Sequence, residues 1–160
     1  MADPAPNARQ IQLQRIYLKD CSLEVPLAPQ VFTKPWTPNT DVQVGTGATV
    51  LGDSLYQILL TITATAKLGE EVGFLAEVHQ AGIFQINGFS EAEMPAILAA
   101  YCPNMLFPFA REAVASLVQR TGFPPLLLQP LNFDALFAEH QTRQRNEAAT
   151  KPNDGGARLQ

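Results

Sequence analysis

The stretch from Leu55 to Ile86 constrains this chain more than any other. Two apolar arms, LYQILLTITATAK and VGFLAEVHQAGIFQI, flank a short break around Gly69. β-Branched and aromatic residues dominate both arms, and apolar side chains recur at every second position, the period of a strand. Tyr56, Ile58, Leu60, Ile62, Ala64 and Ala66 form one row of the first arm. Gln57, Thr61, Thr63 and Thr65 form the other, with Leu59 as the exception. In the second arm Val72, Phe74, Ala76, Val78, Phe84 and Ile86 share a face, and Gly73, Leu75, Glu77, His79 and Gln85 share the opposite one. A two-stranded ribbon is not stable by itself in water, so the rest of the chain has to cover one face of this hairpin.

Before the hairpin, the alternation IQLQRIYLKDCSLEV predicts a strand over residues 11–25, with apolar odd positions interrupted at Arg15 and Lys19. On its even side Asp20 and Glu24 lie about 13–14 Å apart, too far to share a proton but suited to two contacts on a flat acidic surface. Pro26–Pro38 holds four prolines, which exclude a regular helix or a central strand, yet it also carries Leu27, Val31, Phe32 and Trp36. Such a loop either docks on the core or forms a wall of an apolar groove. Asp41–Thr46 reads as a short edge strand ended by glycines, and Gly52-Asp53 as the turn into the hairpin.

After Gly88 the period becomes helical. Ser90 and Glu93 have capping-box spacing, Phe89 and Met94 that of a hydrophobic staple, and Met94, Ile97, Leu98 and Tyr101 form an apolar stripe. Cys102-Pro103-Asn104 is expected to interrupt this helix. Pro108 is expected to start a second one that stops at Gly122. A last short helix follows Asn132. Strands first and helices afterwards predict an α+β domain, a four-stranded antiparallel sheet with helices packed on one face, whose long apolar edge invites a second copy. The expected organisation is a disordered tail over 1–10, a domain over 11–140 and a disordered tail over 141–160.

Composition narrows the function. The chain of 160 residues is 46% apolar and 16% charged, against about 25% charged in an average domain, which leaves apolar surface for a partner copy or a ligand. A net charge of −4 argues against nucleic acid and for a basic partner. Two cysteines, Cys21 and Cys102, make no disulfide framework and read as reduced thiols of a cytoplasmic protein. The first ten residues lack the apolar core of a secretory signal, and the apolar runs are too interrupted to cross a membrane. The chain carries no phosphate loop, dinucleotide fingerprint or nucleophile elbow, and its cysteines and two histidines lack metal-ligand spacing. Neither an enzymatic activity nor a cofactor is expected. His79, beside Glu77, reads as a solvent-exposed side chain.

Four segments together are distinctive: IYLKDCSLEVP (16–26), LGEEVGFLAEVHQAGIFQI (68–86), YCPNMLFPFARE (101–112) and NFDALF (132–137). Across roughly residues 11–138 the chain closely resembles the bacterial protein-export chaperone family SecB. It departs from the family pattern in the order Thr121-Gly122-Phe123-Pro124 and in Lys151 and Arg158, where the family tail tends to be acidic. The resemblance implies a cytosolic homotetramer, a dimer of dimers, that binds unfolded precursors and hands them to the SecA motor. It implies a SecA-docking set of Asp20, Glu24, Leu75 and Glu77, which meets a basic, zinc-bearing segment of the partner. It suggests a client groove lined by Phe32, Trp36, Phe74, Met94, Leu98 and Tyr101. It links Ala76, Val78 and Gln80 to dimer–dimer contact, although Ala76 and Val78 also fit a monomer core. Two other functions compete: a chaperone of the same fold dedicated to a toxin–antitoxin pair, and a small-ligand domain using the apolar groove.

Overall fold

A computed structural model describes residues 8–150 of the chain. The expected hairpin is its centre. Strand β3, Leu55–Leu68, and strand β4, Glu71–Asn87, pair antiparallel from Leu55↔Gln85 to Leu68↔Glu71. Gly69 turns between them at φ 62°, a conformation that costs glycine little. Strand β1, Gln10–Glu24, joins the free side of β4. Strand β2, Asn39–Gly52, joins the free side of β3, so the sheet order is β1-β4-β3-β2, antiparallel throughout.

Helix α2, Cys102–Gln119, crosses β4 and β3 on the face that carries Val78, Gly82 and Phe84. Contact is close at Gly82, where an added Cβ would lie 2.8 Å from a Leu106 methyl and 3.0 Å from the Phe84 ring. The rows read from the hairpin become the core: Ile58, Leu60, Ile62, Ala64, Ala76, Val78 and Phe84 are fully buried with Leu106, Ala110, Val114 and Val118 of the helix. Among the described residues, no helix packs on the opposite face of the sheet.

Two strands and both helical regions differ from their sequence reading. In β1 the register shifts between Leu13 and Arg15 and again between Leu18 and Asp20. Each bulge inserts one residue and exchanges the faces of the residues after it. Ile11, Leu13, Ile16, Leu18, Cys21 and Leu23 therefore meet the helix-side row of β4, while Arg15 and Tyr17 turn to the open side with Asp20, Ser22 and Glu24. The two interruptions in the odd row mark these bulges. Strand β2 runs on through Gly45 and Gly47 to Gly52, because pairing with β3 along its length outweighs glycine's poor strand preference at an edge.

The helical region is not broken at Cys102. Helix α1, Met94–Ala96, with Pro95 in its first turn, passes through a π-helical turn, Ile97–Tyr101, directly into α2. The wider turn lets the Cys102 amide reach the Ile97 carbonyl and takes Pro103 into the start of α2. Pro108 lies inside α2 rather than at its start. Its cost, about 3 kcal/mol in a free helix, is offset by burial of Cys102, Pro103, Leu106, Phe107 and Ala110. At the entry of the helical region the Ser90 amide and hydroxyl donate to a Glu93 carboxylate oxygen at 2.8 and 3.0 Å. These bonds, the amide first, hold the Glu93 carboxyl below its usual range.

Helix α3, Phe133–Thr150, starts as expected with the Asn132 side chain accepting the Ala135 amide at 3.0 Å. It is not the short helix expected but runs for 18 residues. The segment expected to begin a disordered tail at Gln141 is helical to Thr150, an exposed run of good helix formers with no apolar row to reveal it. Residues 1–7 and 151–160, the remainder of the two expected tails, lie outside the described residues.

Cys102 is buried and Cys21 exposed. Burial pushes the Cys102 thiol up to about 12. The neutral thiol favours the fold below its ordinary value of 9.0 and loses that contribution as pH climbs toward 12. A thiol reagent at about pH 8 should therefore leave Cys102 unmodified in the native protein and label it only after denaturant is added. Labelling of Cys102 without denaturant would show that α2 opens from the sheet.

Candidate functional sites

The proline-rich loop is anchored, not free. A 3-10 turn, Gln30–Thr33, buries Val31 to 2% exposure, and Lys34 pairs with Glu71 at 2.9 Å. The anchoring brings Trp36 flat against Phe123, with ring centres 3.7 Å apart and planes at 11°. Phe32 lies 4.9 Å from Phe123, and Phe74 lies 6.1 Å from Trp36. Gly73 makes room for the indole, since a Cβ there would meet it at 2.7 Å. Phe74 and Phe123 are buried at 3% and 7%, whereas Phe32 is 49% exposed. The result is an aromatic stack, buried below and open above.

Of the six expected groove residues, Phe32, Trp36 and Phe74 are brought together. Met94 and Leu98 are half-buried against the same core, and Tyr101 is 51% exposed outside the stack. The residue that joins the stack, Phe123, was not singled out in the sequence, because nothing local to FPPLLLQPL says that it folds back onto Trp36. A separate cleft of about 430 Å³ lies between β2 at Val44–Thr46, Ala99, and Phe133, Leu136, Phe137, His140 and Arg143 of α3. Its apolar helical row is visible in NFDALF, but its opposition to β2 is not.

The second surface is the open face of the sheet. Register places Glu24 opposite Leu75, Ser22 opposite Glu77 and Asp20 opposite His79. The expected docking set, Asp20, Glu24, Leu75 and Glu77, thus shares one face on two adjacent strands. Thr61, Thr63 and Thr65 continue it on β3, and Asp41 on β2. His79 hydrogen-bonds Glu77 at 3.0 Å and Thr61 at 3.4 Å, so it is not simply the solvated side chain read from the sequence.

The residues linked to dimer–dimer contact lie inside the single chain. Ala76 and Val78 are fully buried and Gln80 is 4% exposed within the single chain. They lie on the helix side of β4, where Val78 faces Ala113, Ser116 and Leu117, and Gln80 donates to the Tyr17 carbonyl at 3.1 Å. In this conformation they form monomer core, and Val78 and Gln80 line the floor of shallow clefts bounded by Leu18 and α2. Exposed apolar side chains nearby are Leu18, at the β1 edge, and Phe109, on α2.

Among the described residues, no group of three or more His, Cys, Asp or Glu side chains is arranged to hold a metal ion, and no helix is long and apolar enough to cross a membrane.

Comparison with known proteins places this geometry. The family model described as "Preprotein translocase subunit SecB" matches residues 4–144. The protein-export protein SecB of Nitrosococcus oceani is 46% identical over 144 residues, covering 89% of this chain and 88% of the relative. A SecB-like chaperone of Mycobacterium tuberculosis, solved in complex with a ChAD peptide from an antitoxin, superposes with a TM-score of 0.64. That match covers 76% of this chain and 90% of the other at 23% identity, a likeness of fold.

Proposed function

The chain belongs to the SecB family of protein-export chaperones, and we propose that it holds unfolded precursors on its aromatic cleft and presents its acidic sheet face to the SecA motor. The 46% identity to a protein-export protein over most of both chains carries this reading. An unfolded client exposes apolar side chains without a fixed sequence. Phe32 and Trp36 offer sequence-tolerant area to such a chain over a rigid floor of Phe74 and Phe123. The α3–β2 cleft extends the apolar area available, with the exposed edge of β2 beside it for backbone pairing.

Asp20, Glu24 and Glu77 present carboxylates on a flat face, a match for a basic partner segment. Work of this kind uses no catalytic group, and it belongs in the cytoplasm, before a precursor crosses the membrane. The working assembly in this reading is a homotetramer, a dimer of dimers. Support comes from the low charge content and from the apolar Leu18 and Phe109 beside the open edge of β1.

Calorimetric titration tests the proposal. A precursor presented unfolded should bind with a negative heat-capacity change from apolar burial, and the same precursor folded should not bind. Glu77→Lys should weaken SecA binding at least about tenfold, or about 1.4 kcal/mol, and leave client affinity within about twofold. Equal loss of both would refute the division into two surfaces. Binding of neither client form would refute the chaperone reading for this chain.

A further inference from the structure

The open face of the sheet sorts its side chains by kind along the strands. Register sets them in rows that cross all four strands. Successive rows carry Glu24 and Asp41, then Glu77, then Asp20. The next row is Tyr17, Ala81, Leu59 and Gly47, and the one beyond it is Arg15, Ile83, Gln57 and Thr49. Neither of these two rows holds a carboxylate. Leu59, the apolar exception in the polar row of its arm, thus meets Ala81 and Ile83 on a face that no described helix covers. Leu59 and Ile83 are half-buried and lie outside the main core. Gly47, opposite Leu59, has only open space where a Cβ would stand, so it leaves the leucine flank bare.

Two cations border this patch. Arg15 is exposed opposite Ile83. Lys19, the extra residue of the second bulge, reaches the neutral Gln57 side-chain oxygen at 3.5 Å, which the Tyr17 hydroxyl also meets. Among the described residues neither Arg15 nor Lys19 pairs with a carboxylate. A solvated surface usually intersperses charges of both signs. Here the signs lie at opposite ends of one flat face, with apolar side chains between them. Glu77 and Ile83 are about 20 Å apart along β4.

We infer that the open face is a two-ended docking strip. The segment that lays its basic residues on Asp20, Glu24 and Glu77 continues along the strands, buries apolar side chains on Leu59 and Ile83, and sets an acidic group against Arg15 and Lys19. An extended segment of about seven residues spans that length. The two ends fix its direction, because the reversed orientation brings like charges together at both. An anionic membrane would suit Arg15, Lys19 and the apolar patch, but the carboxylates of the same face repel it.

The inference rests on the reading of this face as the SecA-docking surface, and the experiment separates the two. SecA binding is measured by calorimetry for wild type, Glu77→Lys, Leu59→Thr and the double variant Arg15→Glu/Lys19→Glu. The double reversal makes the face more anionic, so a partner held by its cations alone would bind it more tightly. A partner with an acidic group at this end should bind it about tenfold more weakly. Leu59→Thr extends the threonine row of β3 without touching the core. It should weaken binding about threefold to tenfold and make the heat-capacity change less negative. Melting temperature and unfolded-client affinity should be unchanged in both variants. Equal or tighter SecA binding by the double reversal, with Glu77→Lys still weak, would overturn the strip and leave the acidic docking surface standing. Full SecA affinity in Glu77→Lys would overturn both. A smaller sedimenting species for Leu59→Thr would assign the patch to a second copy and overturn the inference.

Discussion

Val78→Asp is expected to unfold the chain rather than divide an assembly. Val78 is fully buried between β4 and α2 among Ala113, Ser116 and Leu117. An aspartate there loses the packing of the valine methyls and must either ionise in an apolar setting or bury a neutral carboxyl without a partner. The polar penalty alone is several kcal/mol, against a total stability of about 5–15 kcal/mol for a typical domain. Arg120 and Glu112 line the neighbouring cleft, but one cation next to an existing carboxylate does not offset a second buried charge. Circular dichroism should show lost sheet signal or a melting temperature lowered by more than about 10 °C. A variant that stays folded with near wild-type stability, yet sediments as a smaller species, would mean that β4 turns this row toward a second copy. To probe assembly without disturbing the core, substitutions belong at the exposed Leu18 and Phe109.

Trp36→Ala is the largest functional loss expected. Trp36 is the only tryptophan of the chain and the largest ring of the aromatic stack, with Phe123 at 3.7 Å and Phe74 at 6.1 Å. An aromatic pair is worth about 0.5–1.5 kcal/mol beyond its buried area, and truncating a buried aromatic costs about 3–5 kcal/mol. Because Trp36 is only half-buried, a destabilisation of about 1–3 kcal/mol is expected. The loop stays in place through Val31 and the Lys34–Glu71 pair. Affinity for an unfolded precursor should nevertheless fall more than about tenfold, because the indole supplies both exposed apolar area and the support for Phe123, on which Phe32 packs. Trp36→Phe should recover much of that affinity, and SecA binding should not change. A folded Trp36→Ala protein with unaltered client affinity would exclude the aromatic stack as the client surface. In the wild type, the emission of this single tryptophan should respond to client and be indifferent to SecA.

Period-two patterning is local information, and it carried far. It showed the β3–β4 hairpin, its Gly69 turn and the rows that became core, because alternate side chains of a strand separate by face whatever lies beyond. Ser90 with Glu93, Asn132 at the head of α3 and Gly122 after α2 were equally legible, since caps and stops act within a few residues. Two prolines misled the reading of α2. A proline's cost is local, while the burial and the π-helical turn that absorb it depend on the sheet below. The bulges of β1 appeared only as Arg15 and Lys19 out of place, signals that acquire meaning once β4 supplies the register.

The two candidate surfaces divide along the same line. Sequence by itself determined the faces of the β3–β4 hairpin, the order of strands and helices, the acidic character of the chain and, through the segments around residues 16–26, 68–86, 101–112 and 132–137, its family. Only the tertiary structure decided that Phe123 closes the stack on Trp36 and that Ala76, Val78 and Gln80 turn inward. It alone placed Asp20 opposite His79 and beside Glu77. These are contacts between residues tens of positions apart, set by strand register and helix docking, and the periodicity of one segment holds no information about the segment it will meet.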